Sequence, residues 1–280
     1  MTADKKKNSI QKSAVLVEFD KGVAWVTLNR REKRNAMNPT LNIEMLEVLD
    51  ELEGDERCGV VVLTGAGESF SAGMDLKEYF RENDSKSRAA TLRARRQSGD
   101  WWRRLMFFEK PTIAMVNGWC FGGAFTPLIS CDLAIAANEA KFGLSEINWG
   151  ILPGGNVSHA VAEVMSHRDC LYYIMTGIPF DGKRAAEMRL VNESVPLKQL
   201  KKRVRELADV LLAKNPVALK ACKDAFKRVG SLPWDVSDDY LYAKTEQMLF
   251  LDKGQGKNEG LKQFLDEKTF KPGLQTYKKK

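Results

Sequence analysis

The sequence predicts an α/β core followed by an all-helical C-terminal part. Short apolar runs typical of strands alternate with helical patterns up to about residue 195. From residue 196 onward the strand pattern vanishes, and successive stretches carry apolar residues at helical spacing. This order indicates strands and helices packed in layers, with a separate group of helices after them.

The elements of the core can be assigned in order. Apolar residues alternate in AVLVEF and VAWVTL on either side of residues 20–22, which predicts a hairpin of two strands. Asn38 followed by Pro39 indicates the start of a helix that ends at Gly54. GVVVLTG, PTIAMVNG and DLAIAA are each typical of a buried strand. Residues 81–104 are highly charged, which predicts an exposed helix.

The charge of the chain is concentrated at its ends. The net charge is +7, and the triplets Lys5–Lys7 and Lys278–Lys280 supply six positive charges, so the remaining chain is nearly neutral. Such tails are usually solvated and mobile. We therefore expect a basic disordered tail over residues 1–13, a core over 14–195 and a helical region over 196–280.

Several classes of protein are disfavoured by composition. The five cysteines are scattered without a CxxC pair, and the only histidines are His159 and His167. This pattern disfavours a disulfide framework, a zinc site and a Ser-His-Asp triad. The N-terminus lacks the apolar stretch of a secretory signal, and no apolar run is long enough to span a membrane. We expect a cytoplasmic enzyme.

Two glycine-containing turns stand out because each follows a buried strand. ESFSAGMDLKEYF comes after GVVVLTG, and GWCFGGAFTP comes after PTIAMVNG. Neither turn matches the phosphate loop GxxxxGK[ST] or the dinucleotide motif GxGxxG. Glycine lets the backbone approach a ligand, so two such turns could place their amides around one oxygen atom as an oxyanion hole. Ordinary tight turns are the alternative.

Four ordered segments resemble the crotonase (enoyl-CoA hydratase/isomerase) superfamily over nearly the whole chain. They are FSAGMDLKEY, VNGWCFGGAF, CDLAIAANEAKFGLSEINWGILPG and FLDEKTFKP. The resemblance implies an α/β fold, a crotonase-like spiral of ββα units with a helical C-terminal trimerisation region, and self-association as a trimer or dimer of trimers. It also implies that two backbone amides stabilise a CoA-thioester enolate, here those of Met74 and Gly123.

The resemblance to two-acid hydratases of the family is incomplete. Those hydratases usually carry one glutamate in GGGCE and another in a segment like PEI. Here Thr126 stands at the first position and Glu146, in LSEIN, at the second. A threonine has no carboxyl group to share acid–base work, although its hydroxyl could position water. Ala124 replaces the third glycine and adds a methyl group while keeping its amide.

The single glutamate, together with SAGMDLKEYF, GWCFGG, FGLSEINWG and DDYLYAK, resembles family members that act on hydroxycinnamoyl-CoA thioesters. The resemblance implies hydration of feruloyl-CoA or 4-coumaroyl-CoA, then retro-aldol cleavage to vanillin or 4-hydroxybenzaldehyde and acetyl-CoA. It implies that Glu146 is the general acid and base in both halves; a solvated or helix-capping glutamate is the alternative. No cofactor is expected beyond the CoA moiety of the substrate, neither metal nor NAD.

Tyrosines are the marks of these aromatic-substrate members. By motif position, Tyr79 and Tyr242 would hydrogen-bond the 4-hydroxyl group of the substrate. A phenol held in phenolate-like form can donate electrons to the side-chain double bond and so assist the addition of water. Tyr240 competes with Tyr242 for this role, and a simple amphipathic helix that packs its tyrosines in a core is the alternative reading of YLYAK.

The remaining predicted contacts concern the CoA moiety and the thioester. Lys33 matches the basic residue near the adenosine phosphates, but Arg31 and Arg34 cannot be separated from it, and a solvated charge cluster is the alternative. Ser145 and Trp149 flank Glu146 and match ligand-contacting positions, with core packing an equal alternative for Trp149. The other positions matched to CoA binding are Ala72, Gly73, Met74, Asp75, Leu76, Lys77, Gly123, Ala124 and Phe125.

Two other functions remain open from the sequence. One is another crotonase-type reaction, such as isomerisation or single-glutamate hydration of an aliphatic enoyl-CoA. The other is a non-catalytic homologue that binds RNA through its lysine tails; because only the ends of the chain are basic, we expect no nucleic-acid or membrane partner.

Overall fold

The structure is a computed structural model that describes residues 9–82, 87–271 and 273–279. The chain divides into two compact units. The first runs to Phe108 and then from Thr112 to Ala208, and the second comprises Glu109–Pro111 and the chain from Asp209 onward. We expected the boundary after residue 195, whereas the first helix of the C-terminal part begins in the first unit.

The strands of the first unit form two sheets. In chain order they are β1 (Ser9–Gln11), β2 (Val15–Asp20), β3 (Val23–Leu28), β4 (Val60–Gly65), β5 (Ser69–Ser71), β6 (Thr112–Val116), β7 (Trp119–Phe121), β8 (Leu133–Ala137), β9 (Lys141–Gly143), β10 (Phe180–Asp181) and β11 (Glu193–Val195). The larger sheet has the order β1-β2-β3-β4-β6-β8-β11, and the smaller has the order β10-β9-β7-β5. Strand pairs from β3 to β11 in the larger sheet are parallel, whereas β1, β2 and β3 are antiparallel.

The helices are α1 (Pro39–Gly54), α2 (Arg88–Met106), α3 (Phe125–Ser130), α4 (Val157–Val164), α5 (His167–Thr176), α6 (Gly182–Glu187), α7 (Leu197–Leu212), α8 (Pro216–Val229), α9 (Trp234–Leu251) and α10 (Gly256–Leu261). Short 3-10 turns occupy Arg31–Lys33, Gly122–Ala124 and Ser145–Trp149, and π-helical turns occupy Leu76–Arg81 and Lys262–Asp266. No helix among the described residues is long and apolar enough to cross a membrane.

Helix α1 forms as the sequence predicts. The side chain of Asn38 accepts a hydrogen bond from the amide of Leu41, and Pro39 occupies the first turn, where its missing N–H costs nothing. The residues that recur at helical spacing are buried: Leu41, Met45, Val48, Leu49 and Leu52. Burial of each such side chain contributes about 1.5–3 kcal/mol relative to exposure in water.

Helix α2 differs from the exposed helix that the charge pattern predicts. Its arginines face outward, but Trp101 and Trp102 are buried, as are Ala94, Ser98 and Leu105. The indole nitrogen of Trp101 donates to the side chain of Asn42 on α1 at 2.8 Å. One charged face and one buried face therefore make α2 part of the core packing. Residues 83–86, within the predicted helix, lie outside the described part of the chain.

The N-terminal tail predicted for residues 1–13 is wrong over residues 9–13; residues 1–8 lie outside the described range. β1 pairs with β2, and the ammonium group of Lys12 lies 3.0 Å from Glu47 and 3.1 Å from Glu51 on α1. The hydrogen bond to Glu47 raises the pKa of Lys12. Period-two alternation is not recognisable in a strand of three residues, which is why the sequence did not predict it.

The second unit leaves much apolar surface exposed. Helices α8 and α9 bury no residue completely in the chain alone. Phe226, Trp234 and Phe250 are 81%, 91% and 75% exposed. Apolar side chains in such numbers on a helical unit are typical of a surface that another protein chain covers.

The C-terminal lysines are not the mobile tail that the sequence suggests. The buried side chain of Gln263 donates to the carbonyl of Lys278 and accepts a hydrogen bond from its amide, both at 2.9 Å. The ammonium group of Lys279 donates to the carbonyl of Leu212 at 3.0 Å. The end of the described chain is therefore held by hydrogen bonds within the second unit. Lys280 lies outside the described residues.

Candidate active site

Three parallel strands of the smaller sheet end side by side, and a predicted site residue follows each of them. β7 pairs in parallel with β5 on one side and with β9 on the other. Met74 lies three residues after β5, Gly123 two residues after β7, and Glu146 three residues after β9. The carboxyl ends of parallel strands lie at one edge of a sheet, so distant segments of the chain meet there.

The two glycine-containing turns are in contact. A Cβ atom added to Gly73 would lie 2.5 Å from the carbonyl oxygen of Phe121 and 3.1 Å from the amide nitrogen of Gly123. Gly73 also has φ +89, a conformation that favours glycine. A Cβ atom on Gly123 would lie 3.4 Å from the amide nitrogen of Met74. Side chains at either position would therefore occupy the space beside the two amides.

The backbone around Met74 directs the Met74 amide away from the segment at Met37. The carbonyl of Gly73 accepts from the amide of Met37 at 2.7 Å, and the amide of Asp75 donates to the carbonyl of Met37 at 2.9 Å. Met74 forms a parallel bridge with Met37 between these two bonds. In extended backbone, alternate amides point to opposite sides. The Met74 amide therefore points to the side opposite Met37.

Glu146 is held against the second of these turns. It lies in the 3-10 turn Ser145–Trp149, and its Oε1 atom is 3.1 Å from the position that a Cβ on Gly122 would take. Its Oε2 atom is shielded from solvent and has no hydrogen-bond partner among the described residues. Burial raises the pKa of Glu146, opposed in part by a hydrogen bond from its own backbone amide. A carboxyl group in this state is suited to proton transfer.

Thr126 is buried and its hydroxyl is engaged with the backbone. The Oγ1 atom donates to the carbonyl oxygen of Gly155 at 2.8 Å. Gly155 lies close to Trp102, because a Cβ added to Gly155 would approach the indole ring to 3.2 Å. The hydroxyl proton thus fixes the loop that follows the Glu146 turn. Any interaction with a water molecule is left to the lone pairs of Oγ1.

Tyr79 lies on the π-helical turn Leu76–Arg81. Its side chain is half-buried and packs edge-on against Phe80, with ring centroids 5.1 Å apart. The amide of Tyr79 donates to the carbonyl of Asp75 at 2.9 Å. The turn that carries the tyrosine is therefore capped by Asp75, the residue directly after Met74.

Asp75 fixes the start of this turn. Its Oδ1 atom accepts hydrogen bonds from the amides of Lys77 and Glu78 at 3.0 and 2.9 Å. Burial alone would raise the pKa of Asp75, but the amide of Glu78 and the guanidinium group of Arg30 outweigh burial and lower it. Asp75 is therefore held in its charged, hydrogen-bonded form.

The three basic residues that the sequence could not distinguish differ in their contacts in the structure. Arg31 packs against Gly67, where an added Cβ would lie 2.8 Å from its Nε atom. The guanidinium carbon of Arg34 lies 5.0 Å from the ring centroid of Trp119, a cation–π contact. Lys33 is exposed, and its ammonium group has no acidic partner within the described part of the chain. Lys33 is thus the residue of the three that is not already engaged by protein side chains or packing.

The other predicted contact residues differ in accessibility. Ala124 and Phe125 are fully buried, whereas Leu76 and Lys77 are exposed. Ser145 is half-buried. Trp149 is 65% exposed, so the core-packing alternative for this residue is wrong.

Tyr242 belongs to the second unit, on helix α9, and is 73% exposed. Its competitor Tyr240 is half-buried, with the ammonium group of Lys244 5.8 Å from its ring centroid. The alternative prediction, that Tyr242 packs in the core of its own chain, is therefore wrong. The exposed side chain is accessible to a ligand or to another chain.

Arg30 and Asn35 are residues that the sequence analysis missed. Arg30 is buried and bonded to Asp75, and Asn35 is completely buried with φ +57. The Asn35 amide group donates to the carbonyls of Ala66 and Ser69 at 2.9 and 2.8 Å. The signal in the sequence was the polar segment NRREKRN after a strand, but nothing in it distinguishes buried polar residues from exposed ones.

Within the described residues, no group of three or more His, Cys, Asp and Glu side chains could hold a metal ion.

Comparison with known proteins identifies relatives over nearly the whole chain. The model of the enoyl-CoA hydratase/isomerase family matches residues 18–273. A hydroxycinnamoyl-CoA hydratase-lyase of Pseudomonas fluorescens is 60% identical over 266 residues, which are 95% of this chain and 96% of that protein. A short-chain-enoyl-CoA hydratase of Clostridium acetobutylicum is 35% identical over 76% of this chain and 81% of its own length.

Solved structures show the same fold. The crystal structure of an enoyl-CoA hydratase from Shewanella pealeana has a TM-score of 0.83 and 26% identity, and covers 95% of this chain and 98% of its own. The chain belongs to the enoyl-CoA hydratase/isomerase family, the crotonase superfamily that the sequence motifs indicated. The predicted α/β fold with C-terminal helices is confirmed.

Proposed function

We propose that the protein hydrates a hydroxycinnamoyl-CoA thioester and cleaves the adduct to a 4-hydroxybenzaldehyde and acetyl-CoA. The observation that carries the proposal is the half-buried carboxyl group of Glu146, with its shielded Oε2 atom, beside the paired Met74 and Gly123 turns, with Thr126 in place of a second acid. The 60% identity to a hydroxycinnamoyl-CoA hydratase-lyase supports this choice within the family.

The first half of the proposed reaction adds water across the double bond. The amides of Met74 and Gly123 hydrogen-bond the thioester oxygen as it gains negative charge. Glu146 removes a proton from water, the hydroxide adds to the β-carbon, and the same carboxyl group returns the proton to the α-carbon. One oxyanion-hole donor typically contributes about 10²–10³-fold in kcat. The raised pKa of Glu146 supports its role because the group must hold the proton between the two steps.

The second half breaks the carbon–carbon bond. Glu146 takes the proton of the β-hydroxyl group, the bond between the α- and β-carbons breaks, and the aldehyde forms. The electron pair of that bond becomes the enolate of acetyl-CoA, which the same two amides stabilise until the α-carbon is protonated. The net reaction consumes one water and yields the aldehyde and acetyl-CoA. No redox equivalent is consumed, so we propose no cofactor beyond the CoA moiety.

Tyr79 and Tyr242 are proposed to bind the 4-hydroxyl group of the ring, and Lys33 the phosphates near adenosine. Tyr79 lies on the turn that is capped by Asp75, the residue directly after Met74, which supports a position near the acyl group. Lys33 is supported by its exposure and by the absence of an acidic partner among the described residues. Self-association as a trimer or dimer of trimers is proposed because of the exposed apolar side chains of the second unit.

Incubation of the purified protein with feruloyl-CoA tests the proposal. We expect release of vanillin and acetyl-CoA in equal amounts, measured by liquid chromatography, and no release from Glu146→Gln. Crotonyl-CoA serves as the aliphatic comparison and should be a poor substrate. Tyr79→Phe and Tyr242→Phe should raise the KM for feruloyl-CoA but leave the KM for crotonyl-CoA unchanged. Failure of the intact protein to form vanillin would sink the proposal, and efficient hydration of crotonyl-CoA would favour an ordinary hydratase.

A further inference from the structure

A buried arginine contacts the segment after β5, which carries both Met74 and Tyr79. Arg30 follows β3 by two residues, and its side chain is only 10% exposed. Its Nη1 atom donates to Asp75 Oδ2 at 3.0 Å and to the carbonyl of Ala36 at 2.6 Å. Its Nη2 atom donates to Glu78 Oε1 at 2.7 Å. One guanidinium group thus joins two carboxylates of the same turn.

These two carboxylates adjoin the residues assigned to the reaction. Asp75 directly follows Met74, and Glu78 directly precedes Tyr79. The second oxygen of Glu78 accepts a hydrogen bond from the side-chain amide of Asn38 at 2.7 Å. Both ends of the segment between the oxyanion-hole amide and the tyrosine are therefore tied to the segment 30–38.

We propose that Arg30 is a positioning residue for the reaction: it holds the Met74 amide and the Tyr79 ring in fixed relation through Asp75 and Glu78. Its role at Tyr79 rests on the proposed function, because only a 4-hydroxylated substrate uses that tyrosine. Its role at Met74 requires only a thioester oxygen. Arg30 acts through its neighbours and does not touch the substrate.

The geometry requires the guanidinium group in particular. Arginine presents several N–H donors in a rigid planar fork, so it can bind two carboxylates and a carbonyl at once. Lysine carries a compact charge on a flexible stem and cannot hold both carboxylates in the same geometry. Without any cation here, Asp75 and Glu78 would repel each other and the turn would shift. A displacement of about 1 Å at a reacting group can cost about 10²-fold in rate.

Arg104 offers a matched control in the same unit. It also pairs with two carboxylates, those of Asp50 and Glu53 on α1, but it lies on α2 and bonds to no residue of the site. We expect Arg30→Met to lower kcat for feruloyl-CoA about 10²-fold, and Arg30→Lys about tenfold, by analogy with loss of one oxyanion-hole donor. Arg104→Met should keep the kcat of the intact protein even where its thermal stability falls.

A spectroscopic measurement separates positioning from loss of stability. In the non-reacting Glu146→Gln protein, the absorption maximum of bound cinnamoyl-CoA should shift to longer wavelength, because two amides polarise its conjugated thioester carbonyl. Adding Arg30→Met should reduce this shift, whereas adding Arg104→Met should leave it unchanged. Feruloyl-CoA as a second probe should lose a further part of its shift in the Arg30 variant, since its phenol also contacts Tyr79.

The outcomes distinguish this inference from the proposed function. Equal cinnamoyl-CoA shifts in the Arg30 and Arg104 variants would overturn the positioning role at Met74, and so would the absence of any shift in Glu146→Gln itself. If the intact protein releases no vanillin, the proposed function fails, but the cinnamoyl-CoA shift still decides the role of Arg30. If Arg30→Met does not fold, the comparison of Arg30→Lys with Arg104→Lys decides it.

Discussion

At the residue scale, the environment that makes Glu146 reactive also lowers the free energy of unfolding. Its side chain is half-buried, its Oε2 atom is shielded from solvent without a partner among the described residues, and its pKa is raised. Groups arranged in this way are common at catalytic sites, where stability is given up for reactivity. The position therefore makes opposite demands on activity and on the free energy of unfolding.

Replacing Glu146 by glutamine should separate these demands. The amide has the same shape but transfers no proton, so we expect kcat to fall by at least about 10²–10⁴-fold. Because the neutral amide avoids burial of a charge, the free energy of unfolding at neutral pH should rise by about 1 kcal/mol, within the range of stabilising substitutions. Urea unfolding at neutral and acid pH measures the difference.

The pH dependence of this gain follows from the sign of the shift. The pKa of Glu146 is higher in the folded protein than the value of about 4.3 for unfolded chains. Folding therefore favours the protonated form, and stability conferred by that proton is lost as pH rises through the folded pKa. The advantage of glutamine should vanish well below pH 4. An advantage that persists at low pH would contradict a charge-burial origin.

Thr126 permits a second test at this scale. Its hydroxyl donates to the carbonyl of Gly155, so Thr126→Val should leave that carbonyl without a partner and cost about 1–3 kcal/mol in the free energy of unfolding. Thr126→Ser keeps the hydroxyl, so it should retain kcat, and it should lose only about 0.8 kcal/mol because it removes one buried methyl group. A free energy of unfolding of Thr126→Val in urea equal to that of the unchanged protein would show that the bond to Gly155 contributes nothing.

At the element scale, the turn Gly122–Ala124 depends on glycine next to the catalytic carboxyl group. Gly122 has φ +52, and a Cβ there would lie 3.1 Å from Oε1 of Glu146. Gly122→Ala should displace the carboxyl group and lower kcat about 10²-fold. Gly273→Ala is the control: Gly273 has φ +85 but no atom within 4 Å of an added Cβ, so this variant introduces backbone strain without a steric contact. If both variants retain full kcat, the contact at Gly122 is unimportant.

The longer elements could be predicted from the sequence, whereas the smaller sheet could not. β2, β3 and α1 each carry enough residues to show a period of two or 3.6. Strands β5, β7, β9 and β10 have two or three residues, and they exist because the chain pairs them across long separations. The smaller sheet nevertheless determines where Met74, Gly123 and Glu146 meet.

The candidate site was accessible from the sequence only through its motifs. The two glycine turns were recognisable from the buried strands that precede them, but only resemblance to a known family assigned Glu146 to the same site, since no spacing rule brings the three segments together. Arg30 was missed because its partner Asp75 lies 45 residues away, and it resembled the exposed basic residues that follow it. Pairing over such distances is a property of the tertiary structure, and local patterns carry no record of it.

At the scale of the whole molecule, the second unit should associate with further copies of the chain. Phe250 is 75% exposed on α9, and a buried aromatic anchor in an interface commonly contributes 2 kcal/mol or more, about 30-fold in the dissociation constant. Phe250→Asp should therefore shift the protein from the proposed trimers or hexamers toward monomers in sedimentation velocity. An unchanged sedimentation coefficient at all concentrations would remove Phe250 from the interface.

The hydrogen bond between Thr126 and Gly155 also limits how this chain could evolve toward a two-acid hydratase. A glutamate at position 126 would bring a carboxylate toward a carbonyl oxygen that now receives a proton donor, and two acceptors without a proton between them repel each other. The loop at Gly155 would have to move in the same lineage, against the packing of Trp102. We therefore expect Thr126→Glu alone to disturb the loop at Gly155 rather than to supply a second catalytic carboxylate.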